Sequence, residues 1–482
     1  MKVMICYPPV DRSKGVPLLS QNRQFQYFHH PTRIFPVIPA TAVALLREKG
    51  HTVSFVDAIA EGHSTTDFLR EVEWRAPDLL AFETKTPVVR EHWKTVSLLR
   101  ESFPDLRIAV MGDHAAALPE ETLRNSPADF VLTAGDYDIL LEALCRHLET
   151  GGRLMPGFRY RDGDAIRSTG EYAPSDELDR LPFADRETVD FRRYNREYNL
   201  KGSPFAYIMS GRDCPYHGCS FCSWRTLFPG FRQRSPENVL NEVALLIDKH
   251  GVREIFDDTG TFPKGEWREE FCRKMIERGI HRKVMFSCNC RVDYIDDVSA
   301  GLMKAAGFRL LKMGLESGNQ ETLDRLNKGI RVEQIRQGCE TAKRSGLDVH
   351  LTMIAGYPWE DRRMAERTYA LARELMLSGR TDLLQATVIV PYPGTELHEQ
   401  ALKNDWFRFD SKDYDRYDMR EPVMKTPDMT PEEVMALTRR IYRIFLHPRY
   451  MFHRLAAVRD LHDLGFLARG ARAVFGHLRD FT

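Results

Sequence analysis

The sequence predicts an α/β protein. A doubly wound, Rossmann-like N-terminal domain (1–150) precedes a partial (β/α)6 TIM-like barrel (204–400) and a mainly helical C-terminal region (401–482). Three observations predict this. Short apolar runs alternate with amphipathic segments over 1–150 and again over 204–400, the pattern of parallel strands covered by helices. Residues 151–203 break the alternation with Gly, Asp, Arg and Pro, marking a linker that carries a small hairpin. Beyond 430 the pattern is helical and, after Arg439, rich in arginine.

In the first domain, strands are expected at 2–7 (KVMICY, stopped by Pro8-Pro9), 51–56, 79–84, 106–111 and 130–133. Helices are expected at 39–49, with proline at its start and Gly50 after its end, and at 64–73, 89–102, 118–125 and 137–149. The hairpin pairs 157–160 with 165–168. Barrel strands fall at 205–209, 254–257, 283–288, 310–314, 348–354 and 383–390, with helices at 237–249, 266–278, 297–305, 320–326, 332–345 and 362–378. Six strand–helix units leave a barrel open where a full one closes.

Lysine plus arginine equals aspartate plus glutamate, 69 each, which argues against a bulk nucleic-acid partner. The opening MKVMICYPPV lacks the apolar core and cleavage site of a signal peptide, and no run approaches the roughly 20 apolar residues of a membrane span. The expectation is a cytoplasmic protein, with peripheral membrane contact left open. Nine cysteines, three of them within nine positions, suit metal binding or chemistry better than disulfides.

Those three lie in 211–224, GRDCPYHGCSFCSW, directly after the first barrel strand. Parallel barrels place their active sites on such loops. Three thiolates on a four-iron cluster leave one iron without a protein ligand, free to bind and reduce a substrate. A structural zinc site would need a fourth ligand, and His217 is on offer, but it sits inside the loop without a second Cys-x-x-Cys or His pair. Unrelated thiols are the remaining alternative.

Here the chain resembles the radical SAM superfamily, whose motif is C-x3-C-x2-C with an aromatic before the last cysteine. Ser220-Phe221-Cys222 matches, while Cys214 and Cys219 are separated by four residues, Pro215 to Gly218. Gly218 is expected to absorb the extra residue as a tight turn. The resemblance covers about residues 203–400. It implies a [4Fe-4S] cluster on Cys214, Cys219 and Cys222, and S-adenosylmethionine held by Phe221, Asp257, Asp258, Glu316, Ser317 and Gly356. Asp257 and Asp258 end the second strand, where the family accepts the methionine ammonium; Glu316 resembles its ribose contact; Gly356 lies where backbone approaches adenosine. Pro391-Tyr392-Pro393-Gly394-Thr395 follows the sixth strand, as in one branch of the superfamily.

The N-terminal domain resembles that of the cobalamin-binding branch. Tyr7-Pro8-Pro9, Gly112-Asp113-His114 and Gly135-Asp136 follow its first, fourth and fifth strands, near matches to the branch's Gly-Gly-x-His and Gly-Glu. The resemblance implies cobalamin held by Tyr7, Pro8, Thr84, Gly112, His114 and Gly135. The Asp-x-His-x-x-Gly signature is absent after the first strand, so no histidine from that loop reaches cobalt, and His114 is expected as a hydrogen-bonding partner instead. Nucleotide binding is the competing reading, and no G-x-G-x-x-G or phosphate loop supports it.

Together these imply an enzyme that reductively cleaves S-adenosylmethionine and, with cobalamin, methylates an unactivated carbon of a small-molecule or lipid-type substrate. An external electron donor such as flavodoxin or ferredoxin is implied too. The alternative is a rearrangement or cyclisation on a tetrapyrrole or lipid-linked sugar. A tRNA methylthiotransferase would need three more N-terminal cysteines where only Cys6 and Cys145 occur, and an iron–sulfur carrier would need a second cluster. A structural zinc protein remains as the non-catalytic reading. Cys288 and Cys290 share one side of the third barrel strand and read as packed core thiols, with Arg291 opposite as a candidate for an anion. The C-terminal arginines (Arg440, Arg443, Arg449, Arg454, Arg459, Arg469, Arg472 and Arg479) form either a solvated lid or a basic amphipathic surface for anionic lipid.

Overall fold

A computed structural model describes residues 1–19, 25–28, 33–195, 200–458 and 461–480. Arg459 lies outside the described residues, as does the side chain of Arg479. The first sheet holds β1 (Lys2–Tyr7), β2 (Thr52–Asp57), β3 (Leu79–Glu83), β4 (Arg107–Met111) and β5 (Phe130–Leu132), all parallel, in the order β2-β1-β3-β4-β5. The order reverses between β1 and β3, so a ligand crevice opens beyond their carboxyl ends. Alternate residues feed two cores. Val3, Ile5, Ala81, Ala109 and Met111 face helices Val37–Glu48 and Tyr137–Thr150. Met4, Cys6, Leu80, Phe82 and Val110 face Phe68, Val72, Val96 and Leu99 of helices Thr65–Arg75 and Val89–Ser102. Burial on both faces is what makes these strands near-continuous apolar runs.

Local chemistry sets the helix ends. Ser64 and Asp67 form a capping box at the start of Thr65–Arg75. Pro39 sits in the first turn of Val37–Glu48, where a missing N–H costs nothing. The helix expected over 118–125 is Pro119–Asn125, and a short helix not expected from sequence, Asp113–Ala117, precedes it; the two are separate because Pro119 forces the residue before it out of the helical region. The hairpin β6 (Phe158–Asp162) and β7 (Ala165–Ser168) is more than a linker element: β6 pairs antiparallel with β5 and extends the sheet to seven strands. Fully buried Phe158 explains the attachment, which also covers the β5 edge.

The second sheet runs β8 (Phe205–Ile208), β9 (Glu254–Asp257), β10 (Met285–Cys290), β11 (Phe308–Glu316), β12 (Asp348–Ala355) and β13 (Leu383–Val388), parallel and in sequence order. Its floor is closed by buried charge: Arg309 bridges Glu254 (2.7 Å) and Asp348 (3.1 Å), and Ser287 donates to Glu254 (2.8 Å). β11 runs two residues past its expected end through an irregularity between Gly314 and Glu316. Cys288 and Cys290 are buried core thiols. The C-terminal helices are Pro431–Arg443, Pro448–Ala456 and Leu461–Asp480. The first is tied to β13, because the Tyr442 hydroxyl accepts from the Ala386 N–H (3.1 Å) and donates to the Ala386 carbonyl (3.0 Å).

Candidate active site

The cysteine loop leaves β8 and is anchored by backbone. Gly260 N–H donates to the Asp213 carbonyl (3.0 Å), Ser220 N–H to Leu326 (2.9 Å), and Leu397 N–H to Ser220 (3.0 Å). All three cysteines are half-buried and in no disulfide, and Cys214 Sγ donates to Thr261 Oγ1 (3.2 Å). The extra residue of the first gap is absorbed at His217 rather than at Gly218. His217 (φ 48°) and Asp213 (φ 72°) take left-handed backbone, which histidine and aspartate tolerate better than most residues, and the His217 ring bonds the Asp213 carboxylate. Gly218 instead makes room for an aromatic ring, since a Cβ there would lie 2.6 Å from Tyr216. A Cβ at Gly329 would lie 2.3 Å from the Tyr216 hydroxyl, which donates to the Asn327 carbonyl (2.8 Å). Arg291, which also binds Asp293 (2.9 Å), stacks 3.9 Å over the same ring. Burial pushes the Cys219 thiol up, with Lys328 and Arg291 opposing it.

Among the described residues no three His, Cys, Asp or Glu side chains converge closely enough to hold one metal ion. A four-iron cluster asks for something else, a separate iron for each thiolate. Three cysteine thiols on one anchored loop, none in a disulfide, fit that demand.

The residues assigned to S-adenosylmethionine divide into two groups. Asp257 is fully engaged: its buried carboxylate accepts from Ser210 N–H (3.2 Å) and Thr259 N–H (3.0 Å), and burial pushes it up to about 6. The Ser317 hydroxyl donates to Glu360 (2.7 Å), in a buried knot with Asn319, Thr322 and Thr368. Both build the loops. Asp258, Glu316 and Gly356 lie at the carboxyl ends of β9, β11 and β12, and Phe221 is half-buried in the cysteine loop. Asp258 accepts from Asn289 Nδ2 (3.2 Å), and left-handed Glu316 (φ 58°) accepts from buried Lys328 Nζ (2.7 Å). Gly314 makes this last pair possible, because a Cβ there would stand 2.1 Å from Glu316 Oε1.

At the carboxyl end of the first sheet, the Tyr7 hydroxyl donates to Glu83 (2.8 Å), and Lys85 lies between Asp113 (3.2 Å) and Glu83 (3.6 Å), all buried. Pro8 is buried beside them. Thr84 Oγ1 bonds His92 Nδ1 (2.8 Å). Gly112 (φ 117°) passes so close that a Cβ would sit 2.1 Å from the Thr84 carbonyl. The His114 Nδ1 meets Thr86 Oγ1 (3.2 Å), its ring packs edge-on to Tyr414 (4.7 Å), and burial pushes it down to about 3, so it is neutral. Trp93 Nε1, His114 Nε2 and the Tyr137 hydroxyl are buried here with no hydrogen-bond partner among the described residues. Each such atom costs roughly 1–3 kcal/mol unless a ligand answers it. That need fits a polar cofactor in this crevice.

The two sheets' carboxyl ends meet. Gly135 N–H donates to the Leu227 carbonyl (2.8 Å), just past the cysteine loop, and a Cβ on Gly135 would lie 2.6 Å from the Phe228 ring. Next to it, fully buried Asp136 accepts from Arg212 (2.6 Å), Arg232 (2.8 Å) and the Tyr172 hydroxyl (2.6 Å), while Arg212 also binds Asp138 (3.0 Å). Burial alone would raise the Asp136 carboxyl, but the two arginines outweigh it and hold it well below the usual carboxylate range. Arg212 stands two residues before Cys214, so this ion cluster fixes the root of the loop. Sequence reading missed it, along with Lys328, Asn289 and Tyr216. A Gly-Asp after β5 and a Gly-Arg-Asp before the first cysteine are the only trace it leaves in the sequence.

Three cysteine thiols at the mouth of an open parallel barrel are a donor set that suits an iron–sulfur enzyme of the radical-generating class. Residues 208–372 match the model of the radical SAM superfamily, and this stretch of the chain is a radical SAM domain. It is 26% identical to an uncharacterized methyltransferase of Pyrococcus horikoshii, over 92% of this chain and 93% of that one. It is also 26% identical to the anaerobic magnesium-protoporphyrin IX monomethyl ester cyclase of Cereibacter sphaeroides, over 87% and 68%. In three dimensions it matches TsrM of Kitasatospora setae, a radical S-adenosylmethionine methyltransferase solved with cobalamin and a [4Fe-4S] cluster. There the TM-score is 0.71 at 14% identity, covering 100% of this chain and 99% of that one. OxsB, a cobalamin-dependent S-adenosylmethionine radical enzyme, gives a TM-score of 0.72 at 14% identity, covering 98% and 71%. These two structures have an N-terminal cobalamin domain, a radical SAM barrel and a C-terminal region, the architecture seen here. As a radical SAM enzyme the protein uses a [4Fe-4S] cluster and S-adenosylmethionine, acts on a small-molecule substrate and draws electrons from a reductant. No helix among the described residues is long and apolar enough to cross a membrane.

Proposed function

We propose that this chain is a cobalamin-dependent methyltransferase acting on an unactivated carbon of a small-molecule or lipid-type substrate. The observation that carries the reading is the meeting of the two strand-end crevices at Gly135 and Leu227, which sets a cobalamin crevice against the cysteine loop. When bound, the cofactors supply radical hydrogen abstraction and a transferable methyl group. The chain's own part is placement. Cys214, Cys219 and Cys222 hold the cluster. Phe221, Asp258, Glu316 and Gly356 line the S-adenosylmethionine side, with Lys328 fixing Glu316, while Asp257 and Ser317 shape the loops around it. Tyr7, Pro8, Thr84, Gly112, His114 and Gly135 frame the cobalamin crevice, with His114 donating or accepting a hydrogen bond through Nε2. Burial of both crevice floors keeps water from the reacting atoms.

Flavodoxin or ferredoxin is the proposed class of electron donor. Peripheral membrane contact through the C-terminal helices is supported by exposed Met451, Phe452 and Leu455 among arginines.

Iron, sulfide and cobalt content of protein purified anaerobically with cobalamin supplied tests the reading. About four irons and one cobalt per chain are expected. Four irons without cobalt would remove methyl transfer through cobalamin, and zinc in place of iron would overturn the cluster assignment. Label from methyl-deuterated S-adenosylmethionine should enter the product. A converted but unlabelled product would favour ring formation, the activity named for the cyclase relatives.

A further inference from the structure

We infer that the C-terminal region holds one anionic lipid, its headgroup in an arginine cleft and its acyl chain in an adjoining apolar cavity. The inference rests on the proposed membrane contact and assigns it a specific site.

The cleft lies between helices Arg362–Leu377 and Pro431–Arg443 and has a volume of about 500 Å³. Arg373, Arg439, Arg440, Arg443 and His447 line it, and no Asp or Glu does. Arg440 alone has a carboxylate, Glu366, and even it keeps its stack on Tyr369 (4.2 Å). Among the described residues Arg373, Arg439 and Arg443 have no carboxylate partner, and Arg439 Nε donates to the Met435 carbonyl (3.5 Å). Four guanidiniums in one cleft repel one another, and their planar forks match the oxygens of a phosphate ester.

Leu446 lines this cleft and also the next cavity, so the two adjoin. The second holds about 350 Å³ between the three C-terminal helices and the start of β13. Its wall is apolar (Tyr442, Phe445, Met451, Leu455, Phe466 and Val474). The one charge there, Arg454, is spent on Asp382 (2.5 Å). Met451, Phe452 and Leu455, 44%, 69% and 60% exposed, extend the apolar surface outward on one face of Pro448–Ala456. Such a patch needs a cover in water. An anionic headgroup joined to a hydrocarbon chain satisfies both compartments, which neither free phosphate nor a neutral apolar ligand does.

The position settles the role. Leu383 and Leu384 in the cavity wall begin β13, whose six residues span roughly 20 Å, and the candidate active site lies beyond its other end. A lipid bound here anchors the enzyme and stays clear of the radical chemistry.

The test uses anaerobically purified holoenzyme, sedimented at low salt with phosphatidylglycerol or phosphatidylcholine vesicles, together with mass spectrometry of lipid extracted from the protein. Wild type should bind phosphatidylglycerol at least tenfold better and carry about one anionic lipid per chain. Arg439→Glu/Arg443→Glu should lose that preference. Gly470 lines the cavity and a Cβ there would meet nothing within 4 Å, so a side chain can begin there unhindered, and Gly470→Leu is chosen to occupy the space. It should lose the extracted lipid while keeping its iron and cobalt. If both variants bind and carry lipid as wild type does, while Phe452→Ser alone abolishes sedimentation, membrane contact stands and the lipid site is overturned. If inorganic phosphate competes fully and Gly470→Leu changes nothing, the cleft is a phosphate site and the lipid is overturned. Wild type bound to neither vesicle overturns both readings.

Discussion

Asp136→Asn isolates the ion cluster that joins the two α/β units. The native group balances two arginines against two aspartates, all less than a tenth exposed. Neutralising Asp136 leaves Arg212 shared with Asp138 alone and strips Arg232 of its carboxylate partner. Removing one member of a buried pair costs roughly 3–5 kcal/mol, because the remaining charge is neither solvated nor matched. For units of this size that corresponds to a fall in Tm on the order of 6–20 °C. Calorimetry or thermal circular dichroism under anaerobic conditions reads it. Asp162→Asn, which breaks an exposed pair with Arg167, should change nothing measurable. Asp136→Asn/Arg232→Met should recover part of the loss, since it removes the orphaned cation as well. The sign with pH is fixed too. A carboxyl held below its usual range contributes stability above about pH 4 that disappears as pH falls further, so wild type and Asp136→Asn should converge in acid. A Tm shift no larger than that of Asp162→Asn, or a double variant worse than the single, would refute the account.

Cys214→Ala, Cys219→Ala and Cys222→Ala should each drop iron from about four atoms per chain to below one after anaerobic reconstitution, without loss of secondary structure. Lys328→Met strands Glu316 without its cation and should weaken S-adenosylmethionine binding at least tenfold in equilibrium dialysis, with iron unchanged. Gly135→Val drives a side chain into Phe228; the overpacking should cost about 1–3 kcal/mol and lower cobalt retention before iron, and Phe228→Ala in the same chain should restore it. Asp257 has the opposite sign from Asp136. Its carboxyl is raised by burial to about 6, so its contribution is complete below about pH 4 and is lost as pH climbs through 6. The stability difference between wild type and Asp257→Asn should therefore move between those pH values and be flat on either side.

Strand positions were legible because doubly covered strands write themselves as apolar runs, as in Met4 and Cys6 facing one core and Val3 and Ile5 the other. The three-cysteine motif was legible because its members are neighbours in sequence. What could not be read were contacts made by distance in the chain. Arg212 and Arg232 reach Asp136 across 76 and 96 residues, and no local pattern marks either arginine. Conformational freedom alone places the turn inside the cysteine loop at Gly218. The ring of Tyr216 needs that glycine for space, which leaves the left-handed residue to His217. The hairpin reads as part of a linker because residues 151–203 are rich in Gly, Asp, Arg and Pro with no sustained period, and only buried Phe158 reveals that it belongs to the sheet.

The junction at Gly135 has a further consequence for how this enzyme can change. One apolar core runs without interruption from Ile5 and Leu140 through Phe228 to Leu351, so neither unit ends where the other begins. Exchanging one half for a homologue's would cut through that core. A donor domain would have to bring its own match for Phe228 and for the charges on Arg212 and Arg232. Variation in substrate is therefore expected to arise in the walls around a fixed frame, and the two halves to be inherited as one piece.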